Sequence, residues 1–134
     1  MMLLICGAPL ERAIGARGLL LLYVAGTVAA AAAQWAVSPS SQVPVIGASG
    51  AISAIVGGYA LLFGQSRVRV ADPRLGRLLH VLWLAFAWIG LQLLVGLATR
   101  FGGGPSIAIL AHIGGFLCGL ALAKPLLLLR WKNA

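Results

Sequence analysis

The sequence predicts an all-α, polytopic bundle of transmembrane helices. Hydrophobic residues make up 61% of its 134 residues and charged residues only 9%, whereas an ordinary soluble domain carries roughly 25% charged residues. Apolar runs close to the length that crosses a hydrocarbon layer, about 20 residues, cover most of the chain, and the basic residues fall mainly between them. We therefore expect four full spans preceded by an N-terminal helix remnant.

Each predicted element is an apolar run ended by residues that disfavour helix. The remnant covers residues 1–7 and is too short to cross a bilayer. The four full spans are residues 18–37, 45–63, 78–98 and 106–129. The loops between them, SPSSQVP, GQSRVRVADPRLGR and RFGGGP, are rich in Gly, Pro and polar residues. No repeat or linker divides the chain, so we expect one domain over residues 1–134.

The basic residues predict the orientation of the spans. Ten Lys and Arg against two acidic residues give a formal net charge of +8. The basic residues before the first full span, after the second and at the C-terminus fall on one side, and only Arg100 falls on the other. Basic loops favour the cytoplasm, so we expect a bacterial inner-membrane protein with a cytoplasmic C-terminus. The basic residues lack interleaved aromatics, which argues for a lipid bilayer and against nucleic acid as the partner.

The cysteines give no indication of a metal or cofactor. Cys6 and Cys118 both lie inside apolar runs, and neither has a His or Cys at metal-ligand spacing. Small buried core residues are the expected role for both. We expect no cofactor.

A glycine-rich stretch, GASGAISAIVGGY, places a serine at the start of the second full span. Ser49 is expected within about one turn of the outer helix end, where water can enter. Gly47 and Gly50 allow other backbone to approach closely, and amides at a helix N-terminus, including that of Ser49, can stabilise an oxyanion. The alternative is a packing face of small residues, which is common where transmembrane helices touch.

A histidine is expected at a similar depth in the fourth full span, within AHIGGFLCGLAL. Ionisable residues inside spans are costly and usually functional. Because both spans run from outside to inside, Ser49 and His112 can meet if the helices pack side by side. A structural hydrogen bond between helices is the alternative role for His112. His80 is expected at the cytoplasmic edge of the third span, on the wrong side to serve Ser49.

Small residues predict the close helix contact that a Ser–His pair needs. Gly115 and Gly119 fall on roughly the same side of their helix as His112, and Gly57 and Gly58 give the second span a small surface. Proton transfer requires heavy atoms about 3 Å apart. No carboxylate is expected nearby, so the pattern favours a Ser49–His112 dyad over a triad.

Together these motifs resemble the rhomboid family of intramembrane serine proteases. That family combines a G-x-S-G motif at the start of one helix with an A-H-x-x-G-x-x-x-G helix, which here correspond to residues 47–50 and 111–119. The stretch GAPLERAIGARGLLLLYVAG is similar to the family's segment joining its second and third core helices. The resemblance implies that Ser49 attacks the scissile carbonyl and that His112 acts as general base and then acid. It implies a substrate that is the transmembrane helix of another membrane protein.

The N-terminal end departs from the family pattern. Rhomboids have six core helices, and the second carries a His and an Asn, four residues apart, that help hold the oxyanion. The resemblance puts both upstream of Met1, and neither His80 nor Asn133 is positioned to replace them. We therefore expect a partial rhomboid domain over residues 1–134 that lacks the first core helix and most of the second.

The sequence leaves two functions open. The leading hypothesis is an intramembrane serine endopeptidase that cleaves transmembrane segments through the dyad. The alternative is a catalytically inactive adaptor or chaperone-like protein that binds such segments, because losing an oxyanion donor typically lowers the rate about 100- to 1000-fold. A small transporter would need more polar residues inside the spans than this sequence carries.

Overall fold

The computed structural model describes residues 3–37, 39–40, 48–64, 72–102 and 109–132. A π-helical turn, Leu3–Gly7, leads directly into α1, Ala8–Val37. The remaining helices are α2, Ser49–Phe63, α3, Pro73–Phe101, and α4, Ile109–Lys132. The described residues contain no strand. The predicted all-α transmembrane bundle is therefore confirmed.

α1 consists of two helices joined at Gly15. The backbone of Gly15 has φ 79° and ψ 161°, a region that is essentially restricted to glycine. The helix before this break includes Pro9, which follows the wide π-helical turn and removes one helical hydrogen bond without ending the helix. The N-terminal helix thus extends well beyond the remnant of residues 1–7 that the apolar pattern predicts.

Within the described residues, three helical segments are long and apolar enough to cross a bilayer: Leu3–Val37, Pro73–Phe101 and Ile109–Lys132. α2 is shorter, because its 15 residues correspond to about 22 Å of helix, against a hydrocarbon core of about 30 Å. The first residues of the predicted second span, 45–47, lie outside the described residues. The described part of the second span is therefore a short helix.

α2 forms the centre of the bundle. Its most extensive contacts are with α4 and α1, and seven of its 15 residues are buried. Since protein rather than lipid surrounds most of α2, its ends need not reach both surfaces of the hydrocarbon layer. The buried residues are Gly50, Ala51, Ser53, Ala54, Ile55, Gly57 and Gly58.

Larger apolar side chains fill the bundle beside α2. Leu10, Leu22 and Ile55 are the largest fully buried side chains, and Cys6 and Ile14 pack in the same cluster. The cluster joins the helix before the Gly15 break, the helix after it, and the middle of α2. This contact fixes the two parts of α1 against the central helix.

α3 lies at the periphery of the bundle. Asp72 caps its first turn by accepting a hydrogen bond from the Arg74 amide at 2.8 Å, and Pro73 occupies the first helical position. His80 and Gln92 are its only buried residues. Most of its large apolar side chains are exposed, as expected of a helix that faces lipid. α3 contacts the bundle chiefly through α4.

Candidate active site

The site begins with the contact between α2 and α4. A Cβ atom on Gly115 would overlap the carbonyl oxygen of Gly50, and one on Gly119 would overlap the carbonyl oxygen of Ala54. Gly57 faces the carbonyl oxygen of Phe116 in the same way. The backbones of α2 and α4 are therefore in direct contact, with no side chain between them at these positions.

Ser49 and His112 lie at the same end of this contact. Ser49 is the first residue of α2 and is exposed, and His112 is the fourth residue of α4 and is half-buried. Their neighbours face each other, because a Cβ atom on Gly50 would lie 3.8 Å from the carbonyl oxygen of Ala111. The fold thus brings the two predicted residues to adjacent helix ends.

The His112 imidazole is free of hydrogen bonds at its Nδ1 within the described part of the chain, although that atom is buried. Among the hydrogen bonds between described residues, none joins the Ser49 hydroxyl to the imidazole. Catalytic hydrogen bonds in ligand-free enzymes are often long and tighten only when substrate binds. The contact between α2 and α4 therefore brings Ser49 and His112 near each other, but their side chains form no hydrogen bond in this structure.

The start of α2 offers backbone amides to a ligand. Ala48 caps the helix without a side-chain hydrogen bond, and the first helical bond runs from the Ile52 amide to the Ala48 carbonyl at 2.8 Å. The preceding amides, those of Ser49, Gly50 and Ala51, have no acceptor within the helix. Such amides can donate to an oxyanion. Gly47, predicted to support the same site, lies outside the described residues.

Comparison with known proteins identifies the family. Residues 1–129 match the model of the rhomboid domain. The chain belongs to the rhomboid family. Searches of curated proteins and of solved structures give no match. The family is thus shown by a match that covers nearly the whole chain.

A second serine in this rhomboid protein lies one helical turn after Ser49. Ser53 is 4% exposed, and its hydroxyl donates to the Ser49 carbonyl oxygen at 2.9 Å. This back-bonded geometry is common for serine inside transmembrane helices. Because its proton is engaged with the backbone, Ser53 is a structural residue of α2, whereas Ser49 is exposed at the helix end.

Trp88 joins α3 to the rhomboid site. Its indole nitrogen donates to the His112 carbonyl oxygen at 3.3 Å, and its ring stacks on Phe116 with centroids 4.7 Å apart. Its sequence position is compatible with the membrane interface or with the bundle interior, and the structure shows Trp88 half-buried against α4. The indole nitrogen of an interior tryptophan needs an acceptor, and that requirement could have suggested the contact.

Replacing Trp88 with phenylalanine should lower the stability of the bundle by about 1 kcal/mol, the usual net contribution of one hydrogen bond. Phenylalanine keeps a ring against Phe116 but cannot donate to the His112 carbonyl. The midpoint of unfolding in detergent measures the change. Trp83→Phe is the matched control, because Trp83 is an exposed tryptophan of α3. Equal midpoints for the two variants would contradict the role assigned to the indole nitrogen.

α1 completes the packing around the helix ends that carry Ser49 and His112. A Cβ atom on Gly26 would lie 2.5 Å from the Ala54 Cβ, and one on Gly114 would lie 2.5 Å from the Ala33 Cβ. Ala30 packs against Gly50. This surface on α1 was not predicted from the sequence. The spacing of Gly26 and Ala30, four residues apart, is the signal that could have found it.

The opposite end of α2 carries the other histidine. His80 is buried, and its Cε1 would lie 3.5 Å from a Cβ atom on Gly64, just after the last residue of α2. Gly58, at the same end of the helix, packs against Leu10, Leu22 and Ala123. His80 is therefore remote from Ser49. Within the described residues, no group of three His, Cys, Asp or Glu residues could hold a metal ion.

Proposed function

We propose that this protein is an intramembrane serine endopeptidase that cleaves transmembrane segments of other membrane proteins through Ser49 and His112. The supporting observation is the direct backbone contact between α2 and α4. Ser49 and His112 lie at one end of this contact. Structural serines and histidines can occur anywhere along a helix bundle. A nucleophile and a base, however, must lie on elements that approach within hydrogen-bonding reach.

In the proposed reaction, His112 accepts the Ser49 hydroxyl proton as the Ser49 oxygen attacks the scissile carbonyl carbon. Amides at the start of α2 donate to the resulting oxyanion. The tetrahedral intermediate collapses, the C–N bond breaks, and His112 gives its proton to the departing amine. A water molecule then attacks the acyl-enzyme with His112 again as base, which releases the new carboxylate and restores the Ser49 hydroxyl.

The position of Ser49 supports access of water to the reaction. Ser49 lies at the N-terminal end of α2 and is exposed. We propose that this end faces the outside of a bacterial inner membrane, with the basic ends of α1 and α4 in the cytoplasm.

The experiment is covalent labelling of the membrane-embedded chain with a fluorophosphonate probe, which reacts with activated serines. Labelling should be lost in Ser49→Ala and in His112→Gln. Two matched controls should keep it: Ser40→Ala, in an exposed turn, and His80→Gln, at the far end of α2. Circular dichroism of each variant checks that the helices remain folded.

An inactive adaptor is the second candidate function, and the missing Ser49–His112 hydrogen bond between these described residues favours it. An adaptor binds transmembrane segments without cutting them and does not need the Ser49 hydroxyl. A folded chain that takes up no probe, or one labelled equally well after Ser49→Ala, would reject the protease. Co-purification of a transmembrane segment with both the parent chain and Ser49→Ala would then support the adaptor.

A further inference from the structure

A cavity of about 540 Å³ lies between α1 and α4, far from Ser49. It sits near the C-terminal end of α4, and the 18 residues from His112 to Arg130 correspond to about 27 Å of helix. Two kinds of side chain line it: the arginines Arg17 and Arg130, and the apolar residues Ile14, Leu21, Leu126 and Leu129. No acidic residue is among the described residues that line it.

Arg130 is held in place beside this cavity. Its guanidinium donates to the backbone carbonyl oxygens of Glu11 and Arg12, the first at 3.5 Å. Its Cδ would lie 3.7 Å from a Cβ atom on Gly15, at the break in α1. Arg17 comes two residues after that break, so the kink brings both guanidinium groups to one cavity.

The combination of charge and apolar lining indicates the ligand. Two guanidinium groups with no acidic side chain between them favour a phosphate, which guanidinium binds through paired hydrogen bonds. A free phosphate has no apolar part and would make no favourable contact with the leucines of the cavity. Basic pockets between transmembrane helices near a membrane surface suit lipid head groups, and leucines suit an acyl chain.

We propose that this cavity binds an anionic phospholipid, with its phosphate between Arg17 and Arg130 and an acyl chain along Leu21, Leu126 and Leu129. The lipid belongs to the leaflet on the Gly15 side of the bundle. Bound there, it contacts α1 and α4 together and bridges the break at Gly15. The proposal concerns residues remote from Ser49 and does not depend on the proposed protease activity.

The test is native mass spectrometry of the full chain in nonionic detergent, titrated with phosphatidylglycerol or with phosphatidylcholine carrying the same acyl chains. Phosphatidylglycerol should bind more tightly. Arg17→Gln should weaken its binding about fivefold, the value expected for one basic residue near an anionic lipid. Arg17→Gln combined with Arg130→Gln should weaken it about 25-fold if the two contributions add.

Arg12→Gln is the matched control, because it removes a basic side chain near the same end of the molecule that does not line the cavity. It should leave phosphatidylglycerol binding unchanged. Arg17→Gln keeps the test valid even if the double variant fails to fold, since the Arg130 contacts remain. Equal affinity for the two lipids, or equal losses in Arg12→Gln and Arg17→Gln, would overturn the proposal. Full displacement of the lipid by inorganic phosphate would also overturn it, by showing an anion site without an acyl chain.

Discussion

Replacing Gly115 with leucine is expected to separate α2 from α4 and to abolish labelling of Ser49. The backbone of Gly50 already occupies the space that the first side-chain carbon would need. A carbonyl oxygen cannot rotate away as a flexible side chain can, so the helices must move apart. Overpacking a core usually costs about 1–3 kcal/mol, and a clash with backbone places this variant at or above the upper end of that range.

Two measurements check this expectation: the unfolding midpoint in detergent and the rate of fluorophosphonate labelling. Gly90→Leu is the matched control, because Gly90 lies on exposed α3 and a Cβ atom there meets no other atom within 4 Å. The control should keep the stability and labelling of the parent chain. If Gly115→Leu behaved like Gly90→Leu, the backbone contact between α2 and α4 would be disproved.

Replacing Gly15 with alanine is expected to destabilise the protein by about 1–3 kcal/mol, the cost of holding another residue in a region reserved for glycine. The strain comes from the backbone, because the nearest atom to a Cβ there is 3.7 Å away, which is ordinary contact. A change in the direction of α1 at this break would disturb the contacts of Arg130 with the carbonyl oxygens of Glu11 and Arg12.

The unfolding midpoint of Gly15→Ala measures this cost, with Gly90→Ala as the control. Alanine is favoured over glycine inside a helix by about 1 kcal/mol, so the control should gain stability while Gly15→Ala loses it. If the unfolding midpoint falls in Gly15→Ala and rises in Gly90→Ala, the loss at Gly15 comes from backbone strain and not from helix propensity. A gain in both variants would mean that α1 is straight in solution.

The sequence predicted the helices, and the positions of Ser49 and His112 near helix ends, because strong, local signals mark them. Apolar runs specify helices in lipid, and a rare ionisable residue such as His112 is noticeable inside one. Gly115 and Gly119, which follow His112, indicated close packing of this helix against another. The structure brings the backbone of Gly115 against that of Gly50, and this contact follows from small residues on facing helices.

Other features could not be predicted because they depend on contacts between distant parts of the chain. Gly15 is one of 18 glycines in the chain, and nothing local indicates that it, rather than Gly18 or Gly26, breaks the helix. Trp88 fits lipid or protein equally well until its acceptor, the His112 carbonyl, is known. The central position of α2 depends on its packing against α1 and α4, which an apolar run alone does not encode.

The central position of α2 also bears on biogenesis. The described helix has 15 residues, three of them glycines and two serines, and is shorter than the about 20 residues that cross a hydrocarbon layer. Its favourable environment is the groove between α1 and α4, and α4 is synthesised after α2. We therefore expect α2 to settle into its final depth only after the C-terminal helix has entered the membrane, so that insertion and tertiary folding are coupled in this protein.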